Sequence, residues 1–222
     1  GADMKWGLLG GTFNPIHMGH LRCAEEIREL FALEEVVFIP VGRPPHKDDG
    51  SLASFDHRRE MGRRAISGNP FFSLSDWEGR LKGTSYSIDT VEHFLSLRPK
   101  GGKLDIYYIL GQDAFQLIKT WKEWERLLLL CNFVVMTRPN FKIEGLDQIL
   151  PPDLACRFVY DDCLQGYKGP TGHAIFYRQV SFLDISSSDI RGRIRAGRSV
   201  RYLVPDAVAS YIVEEGCYKN KQ

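Results

Sequence analysis

The stretch "GLLGGTFNPIHMGHLR", residues 7–22, decides how this chain is read. An apolar run ends in Gly10 and Gly11, Thr12 and Phe13 follow, and His17 and His20 stand three apart. From residue 20 to 31, Leu21, Ala24, Ile27 and Phe31 recur at helical spacing beside Glu25, Glu26 and Arg28. A strand that runs through a small-residue turn into a helix delivers its backbone to the carboxyl end of a parallel sheet. Open α/β folds bind ligands there. Glycines at the turn permit positive φ and let backbone N–H groups approach an anion without a Cβ between them. A helix starting near Gly19 or His20 aims its free N–H groups and positive dipole end at the same place. The pattern is neither G-x-x-x-x-G-K-[ST] nor G-x-G-x-x-G, and the two histidines take the place of the lysine. Three readings stay open for them. One ring caps the helix and the other is a satisfied, half-buried ring; or both donate to a polyphosphate; or they pair on a metal with Cys23. The first two stand level. The third ranks behind, because i, i+3, i+6 drifts around a helix and no further Cys/His cluster completes a shell.

Working outward, short apolar runs alternate with amphipathic stretches. Trp6–Leu9, Val36–Ile39, Phe71–Leu74, Ile106–Leu110, Phe133–Met136 and Ala174–Phe182 are expected strands. Residues 55–66, 85–97, 113–118 and 122–130 join 20–31 as helices, and two more start near Ser187 and Asp206. Nearly continuous apolar strands separated by helices predict an α/β fold: a single doubly wound, Rossmann-like parallel sheet with helices on both faces and a small C-terminal helical segment. Gly1–Asp3 precede Met4 and are read as extraneous, so one domain is expected over 4–222. Residues 139–173, with Pro151–Pro152 and "GYKGPTGH", are the least regular part and are expected to form a surface loop without chemistry.

Charge and cysteines narrow the class. Twenty-nine basic against 28 acidic residues leave a net charge of +1, which gives no reason to expect nucleic acid or an anionic membrane as partner. Five scattered cysteines without a CxxC read as reduced thiols of a cytoplasmic protein. No transmembrane-length apolar run or signal-peptide layout is present. The partners expected are small molecules, with a homo-oligomer left open.

A second element, "ISSSDIR", spans residues 185–191. Ser186 or Ser187 is a good N-cap, Ile185 and Ser188 flank it, and Arg191 lies one turn along. Hydroxyls, helix N-terminus and guanidinium suit a phosphate pair. Taken alone, an ordinary capped helix with a surface arginine is the better reading.

The two motifs together change that. "GGTFNPIHMGHLR" closely resembles the G-x-F-[DN]-x-x-H-x-G-H signature of the nucleotidyltransferase superfamily, with Asn14 where many members have Asp. "ISSSDIR" resembles the I-S-S-x-x-I-R signature of its adenylyltransferases. "GRPPHK" (42–47), "YSIDTVEHF" (86–94), "YYILGQDAF" (107–115) and "KTWKEWERL" (119–127) resemble, in order and spacing, the bacterial nicotinate-nucleotide adenylyltransferase family, and "RYLVPDAVASYI" (201–212) resembles its closing segment. The resemblance implies transfer of an adenylyl group from ATP to nicotinate mononucleotide, giving deamido-NAD and pyrophosphate, with Mg²⁺ travelling with ATP and no metal site in the protein. It implies His17, His20 and Arg191 as catalytic residues. Gly10, Gly11, Thr12, Phe13, Gly19, Gly111, Asp113, Ile185, Ser186, Ser187 and Ser188 would line the ATP site. His46, Lys47, Tyr86, Ser87 and Trp121 would bind the mononucleotide, with Trp121 stacking on the nicotinate ring, whereas Trp124 matches no such role and reads as packing. Val41 stands where some members have asparagine, and Lys122 where some have tyrosine. Pantetheine-phosphate adenylyltransferase shares both motifs but leaves "GRPPHK" and "YSIDT" unaccounted for. A cytidylyltransferase lacks this late motif, and a non-catalytic nucleotide sensor would tolerate loss of His17, His20 or Arg191. A tRNA synthetase fits neither the length nor the charge, and the chain has no K-M-S-K-S-like loop.

Overall fold

The computed structural model describes residues 3–44, 50–140 and 142–220. Its strands are β1 (Met4–Gly11), β2 (Glu35–Pro40), β3 (Phe72–Leu74), β4 (Leu104–Gly111), β5 (Asn132–Thr137), β6 (Val159–Asp161), β7 (Gly166–Lys168) and β8 (Ala174–Gln179). They form one sheet in the order β3-β2-β1-β4-β5-β8-β7-β6. The helices are α1 (Met18–Phe31), α2 (Phe55–Ile66), α3 (Ser87–Ser96), α4 (Gln112–Gln116), α5 (Trp124–Leu130), α6 (Leu146–Ile149), α7 (Pro152–Ala155), α8 (Ser187–Arg195) and α9 (Asp206–Glu215). The fold is the expected α/β class, with a mainly parallel sheet. Residues group into two compact units, 1–9 with 32–34 and 86–180, and 10–31 with 35–85 and 181–222.

In the first unit, β1, β4, β5 and β8 run parallel, with Leu8 opposite Tyr108, Ile109 opposite Val134 and Val134 opposite Phe176. Leu8, Ile106, Phe133, Val134, Val135 and Ile175 are all but sealed from solvent, which is why these strands read as unbroken apolar runs. Burying each such side chain contributes about 1.5–3 kcal/mol. Ile88 and Val91 of α3, Phe115 of α4 and Leu127 of α5 are equally buried. The segment 139–173 departs from its expectation. Short helices α6 and α7 lead into β6 and β7, an antiparallel hairpin whose second strand pairs antiparallel with β8. A hairpin lets strands this short satisfy each other's backbone groups without a crossover helix.

In the second unit, β2 and β3 are parallel, with Phe38 opposite Leu74. The amide of Val41, just past β2, donates to the carbonyl of Gly11 at the end of β1 (2.9 Å). Helix α2 matches its expected limits because Ser54 caps it, its hydroxyl accepting from the His57 amide at 3.2 Å. Elsewhere boundaries shift for local reasons. Glu123, at φ +50, delays α5 to Trp124, and Tyr86 in extended conformation delays α3 to Ser87. Helix α9 ends at Gly216, whose φ of +64 suits a residue without a Cβ.

Candidate active site

The second unit carries both motifs. Gly10 and Gly11 close β1, but the positive φ falls on Phe13 (+49), not on either glycine. The reason is packing. Phe13 is buried, its ring edge-on to His20 (centroids 5.0 Å apart) and tilted against Phe38 (5.9 Å). A Cβ on Gly11 would stand 3.2 Å from that ring. Gly11 is thus small to admit Phe13, and Phe13 walls the histidine from behind.

The histidines settle at the start of α1 as a reciprocal cap. His17 precedes the first helical residue, and its Nδ1 accepts from the Gly19 amide (3.0 Å). His20, three residues on, turns its Nδ1 back to accept from the His17 amide (3.1 Å). This is the geometry of a capping box, with imidazoles in place of hydroxyl and carboxylate. Because a backbone amide can only donate, each Nδ1 must be unprotonated, and the proton of the neutral ring resides on Nε2. The rings stack with centroids 3.7 Å apart. Burial lowers the pKa of His17 to about 4; for His20 burial, with the nearby His17 adding to it, gives about 3. Both rings are neutral at pH 7 and retain an Nε2–H to donate. Gly19 is where it is because a Cβ there would lie 2.8 Å from His17 Cε1. Capping uses Nδ1 of each ring and so leaves donation from Nε2 open.

The late motif is brought onto the same loop. Ser186 caps α8, its hydroxyl accepting from the Asp189 amide (3.1 Å). Ser187 Oγ donates to the Pro15 carbonyl (2.8 Å), and Arg191 Nη1 donates to the Asn14 carbonyl (2.8 Å). Among the described residues, the buried Nε of Arg191 has no hydrogen-bond partner. Ile185 precedes the cap and Ser188 is exposed in the first turn. His46 and Lys47 lie outside the described residues.

Two contributors in this unit, Arg58 and Tyr218, escaped the sequence reading. Arg58 is 1 % exposed, and its guanidinium donates to the carbonyls of Ala53 (3.0 Å), Thr12 (3.1 Å), Val41 (2.7 Å) and Gly42 (3.4 Å). It ties together the loops after β1 and β2 and the approach to α2. Its only sequence signal is position, since it falls on the buried stripe of Met61, Gly62 and Ile66. Asn14 and Tyr218 complete this network through a 2.7 Å hydrogen bond.

The first unit carries the other expected residues. Gly111 closes β4, and Asp113 is exposed in the first turn of α4. Tyr86 is the N-cap residue of α3 and its side chain makes no capping hydrogen bond there. Ser87 Oγ and Tyr108 Oη are 2.8 Å apart, and Trp121 is half-buried, edge-on to Tyr108 (5.9 Å). Lys122 Nζ lies 4.7 Å from the Tyr86 ring centroid and 3.8 Å from Asp89. Tyr108 is the residue missed here; its only signal was its place in a strand flanked by functional stretches. Among the described residues, no group of three or more His, Cys, Asp or Glu is disposed to hold a metal ion. No described helix is long and apolar enough to cross a membrane, and all five cysteines are unpaired.

Comparison with known proteins defines the class. Residues 8–193 match the Cytidylyltransferase-like family. A protein of Citrifermentans bemidjiense named "Probable nicotinate-nucleotide adenylyltransferase" is 46% identical over 97% of this chain and 98% of its own length. One of Geotalea daltonii with the same name is 45% identical over 98% and 99%. The chain belongs to the nicotinate-nucleotide adenylyltransferase family and is an adenylyltransferase. Its fold matches Plasmodium falciparum nicotinic acid mononucleotide adenylyltransferase, solved in complexes with APC and with NaAD. The TM-scores are 0.70 and 0.69, at 21% identity over 97% of both chains.

Proposed function

We propose that this chain, acting over 4–222 as one domain in the cytoplasm, transfers the adenylyl group of ATP to nicotinate mononucleotide. A phosphate oxygen of the mononucleotide attacks the α-phosphorus of ATP. The bond from that phosphorus to the bridging oxygen breaks, and pyrophosphate leaves with the electron pair, giving deamido-NAD. The nucleophile's second pKa is about 6, so it is already largely anionic at neutral pH and needs no general base. What must be overcome is repulsion between anions and charge building on the leaving group, so positioning and electrostatics carry the catalysis.

The observation that carries this reading is the pair of capped, neutral imidazoles with Nε2–H fixed as donors. In the proposal they donate to the α- and β-phosphates, and no ring has to be reorganised during reaction. Gly10, Gly11 and Thr12 bring backbone amides to ATP, with Gly19 and Phe13 holding the rings. Arg191 and the Ser186–Ser188 turn after Ile185 face the departing pyrophosphate. Gly111 and Asp113 take the ribose. The N-terminus of α3 at Tyr86 and Ser87 receives the nicotinate carboxylate, and Trp121 stacks on its ring. His46 and Lys47 serve the mononucleotide phosphate. Mg²⁺ enters as part of MgATP, coordinated by phosphates and water. Purified protein with MgATP is expected to convert nicotinate mononucleotide with higher kcat/KM than the amide, as coupled detection of dinucleotide reports. Equal or better use of nicotinamide mononucleotide refutes the specificity, and turnover of phosphopantetheine alone refutes the reaction.

A further inference from the structure

Asn14 sits three residues before His17, is 6 % exposed, and is held on every side. Its Oδ1 accepts from the Ala53 amide (3.0 Å) and from the Tyr218 hydroxyl (2.7 Å), and its Nδ2 donates to the Ser51 carbonyl (3.0 Å). Its own carbonyl is the one that takes the Arg191 guanidinium (2.8 Å). Both acceptor sites of the side-chain oxygen are therefore filled, one by a residue 204 positions away. Tyr218 reaches Asn14 because the chain reverses after α9, with Gly216 at φ +64 and Tyr218 itself at +66. The tyrosine also lies close enough to Arg58 and Arg191 to feel both charges. Its hydroxyl thus ties the C-terminal segment to Asn14, the residue whose carbonyl holds the Arg191 guanidinium and which opens the histidine loop.

We infer that Tyr218 is a positioning residue for the transfer reaction: its hydroxyl, held on Asn14, sets the loop from which His17 and His20 present their Nε2–H groups. This rests on the proposed reaction. The hydroxyl touches no reacting atom; it acts through Asn14. Removing it leaves one acceptor site of a buried amide oxygen empty and frees the loop from the C-terminal segment, while the aromatic ring keeps its packing.

The experiment is Tyr218→Phe in the full chain, read three ways. Steady-state kinetics with MgATP are expected to show kcat about tenfold lower, the scale of a sub-ångström misplacement, with KM for nicotinate mononucleotide unchanged. The imidazole Cε1–H and ring-nitrogen NMR signals of His17 and His20, recorded without nucleotide, are expected to shift. Urea unfolding on the same sample gives the folded fraction, so activity is expressed per folded molecule. Wild-type kcat per folded molecule, or unmoved histidine signals, overturns the positioning role. Wild-type protein that forms no deamido-NAD contradicts the reaction instead, and the histidine signals then still decide whether Tyr218 sets the loop.

Discussion

Replacing Gly19 by alanine sets stability and activity against each other. Gly19 lies in the first turn of α1, where alanine is the better helix former by up to about 1 kcal/mol. Its added methyl, however, would stand 2.8 Å from Cε1 and 2.9 Å from Nδ1 of His17, where ordinary contact begins at 3.4 Å. The ring must withdraw by more than half an ångström. It is 7 % exposed and stacks on His20 at 3.7 Å, so it cannot move alone. Withdrawal also stretches the 3.0 Å bond from the Gly19 amide, the contact that fixes the proton on Nε2. Misaiming one preorganised donor and disturbing its neighbour is expected to lower kcat about a hundredfold. The melting temperature should move by no more than about 4 °C, because the clash meets a side chain and not backbone. Initial rates of pyrophosphate release with MgATP and nicotinate mononucleotide, beside a thermal melt, read both quantities. A folded Gly19→Ala enzyme with kcat within threefold of wild type would refute the claim that this glycine exists to seat His17.

The remaining expectations concern charge, stacking and the buried arginine. Burial holds the folded-state pKa values of His17 and His20 at about 4 and about 3, below the ordinary 6.5. The unfolded chain therefore binds more protons between those limits, and stability complete above pH 6.5 is lost as pH falls toward 4. Thermal melts from pH 7 to 4.5 should show this, with a shallower fall in a His20→Asn variant; identical slopes would contradict it. Trp121→Ala should raise KM for the mononucleotide about tenfold while KM for ATP stays, since stacking contributes roughly 0.5–1.5 kcal/mol beyond the contact area lost. Trp124→Ala should instead cost about 1–2 kcal/mol of stability, less than a fully buried tryptophan, because Trp124 is only half-buried; the opposite pattern would mean the two rings are assigned the wrong way round. Arg58→Met strips four carbonyls of their donor and is expected to destabilise by at least about 3 kcal/mol in urea unfolding. A loss under about 1 kcal/mol would show that water replaces the guanidinium.

Whatever depends on neighbours in the chain was legible in the sequence alone. The apolar runs at 36–39 and 133–136 became β2 and β5, and the periodicity at 55–66 became α2 residue for residue, because strand burial and helix stripes are short-range patterns. The two motifs were legible for the same reason: His17 to His20 and Ser186 to Asp189 are three-residue relations of a helix start. Tertiary structure decided what those residues do with their hydrogen bonds. Composition at 10–13 pointed to positive φ at a glycine, and packing of the Phe13 ring put it at Phe13. Proline and glycine at 139–173 suggested a loop, but pairing with β8 turned 159–168 into a hairpin. Arg58 is one of several charges within 55–66 and nothing local sets it apart; folding surrounds it with carbonyls from three loops. Tyr218 and Asn14 carry no mark of each other in the sequence, being 204 positions apart. A buried polar group must find a partner, yet which partner reaches it depends on where the chain has carried every other segment, and no local pattern holds that information.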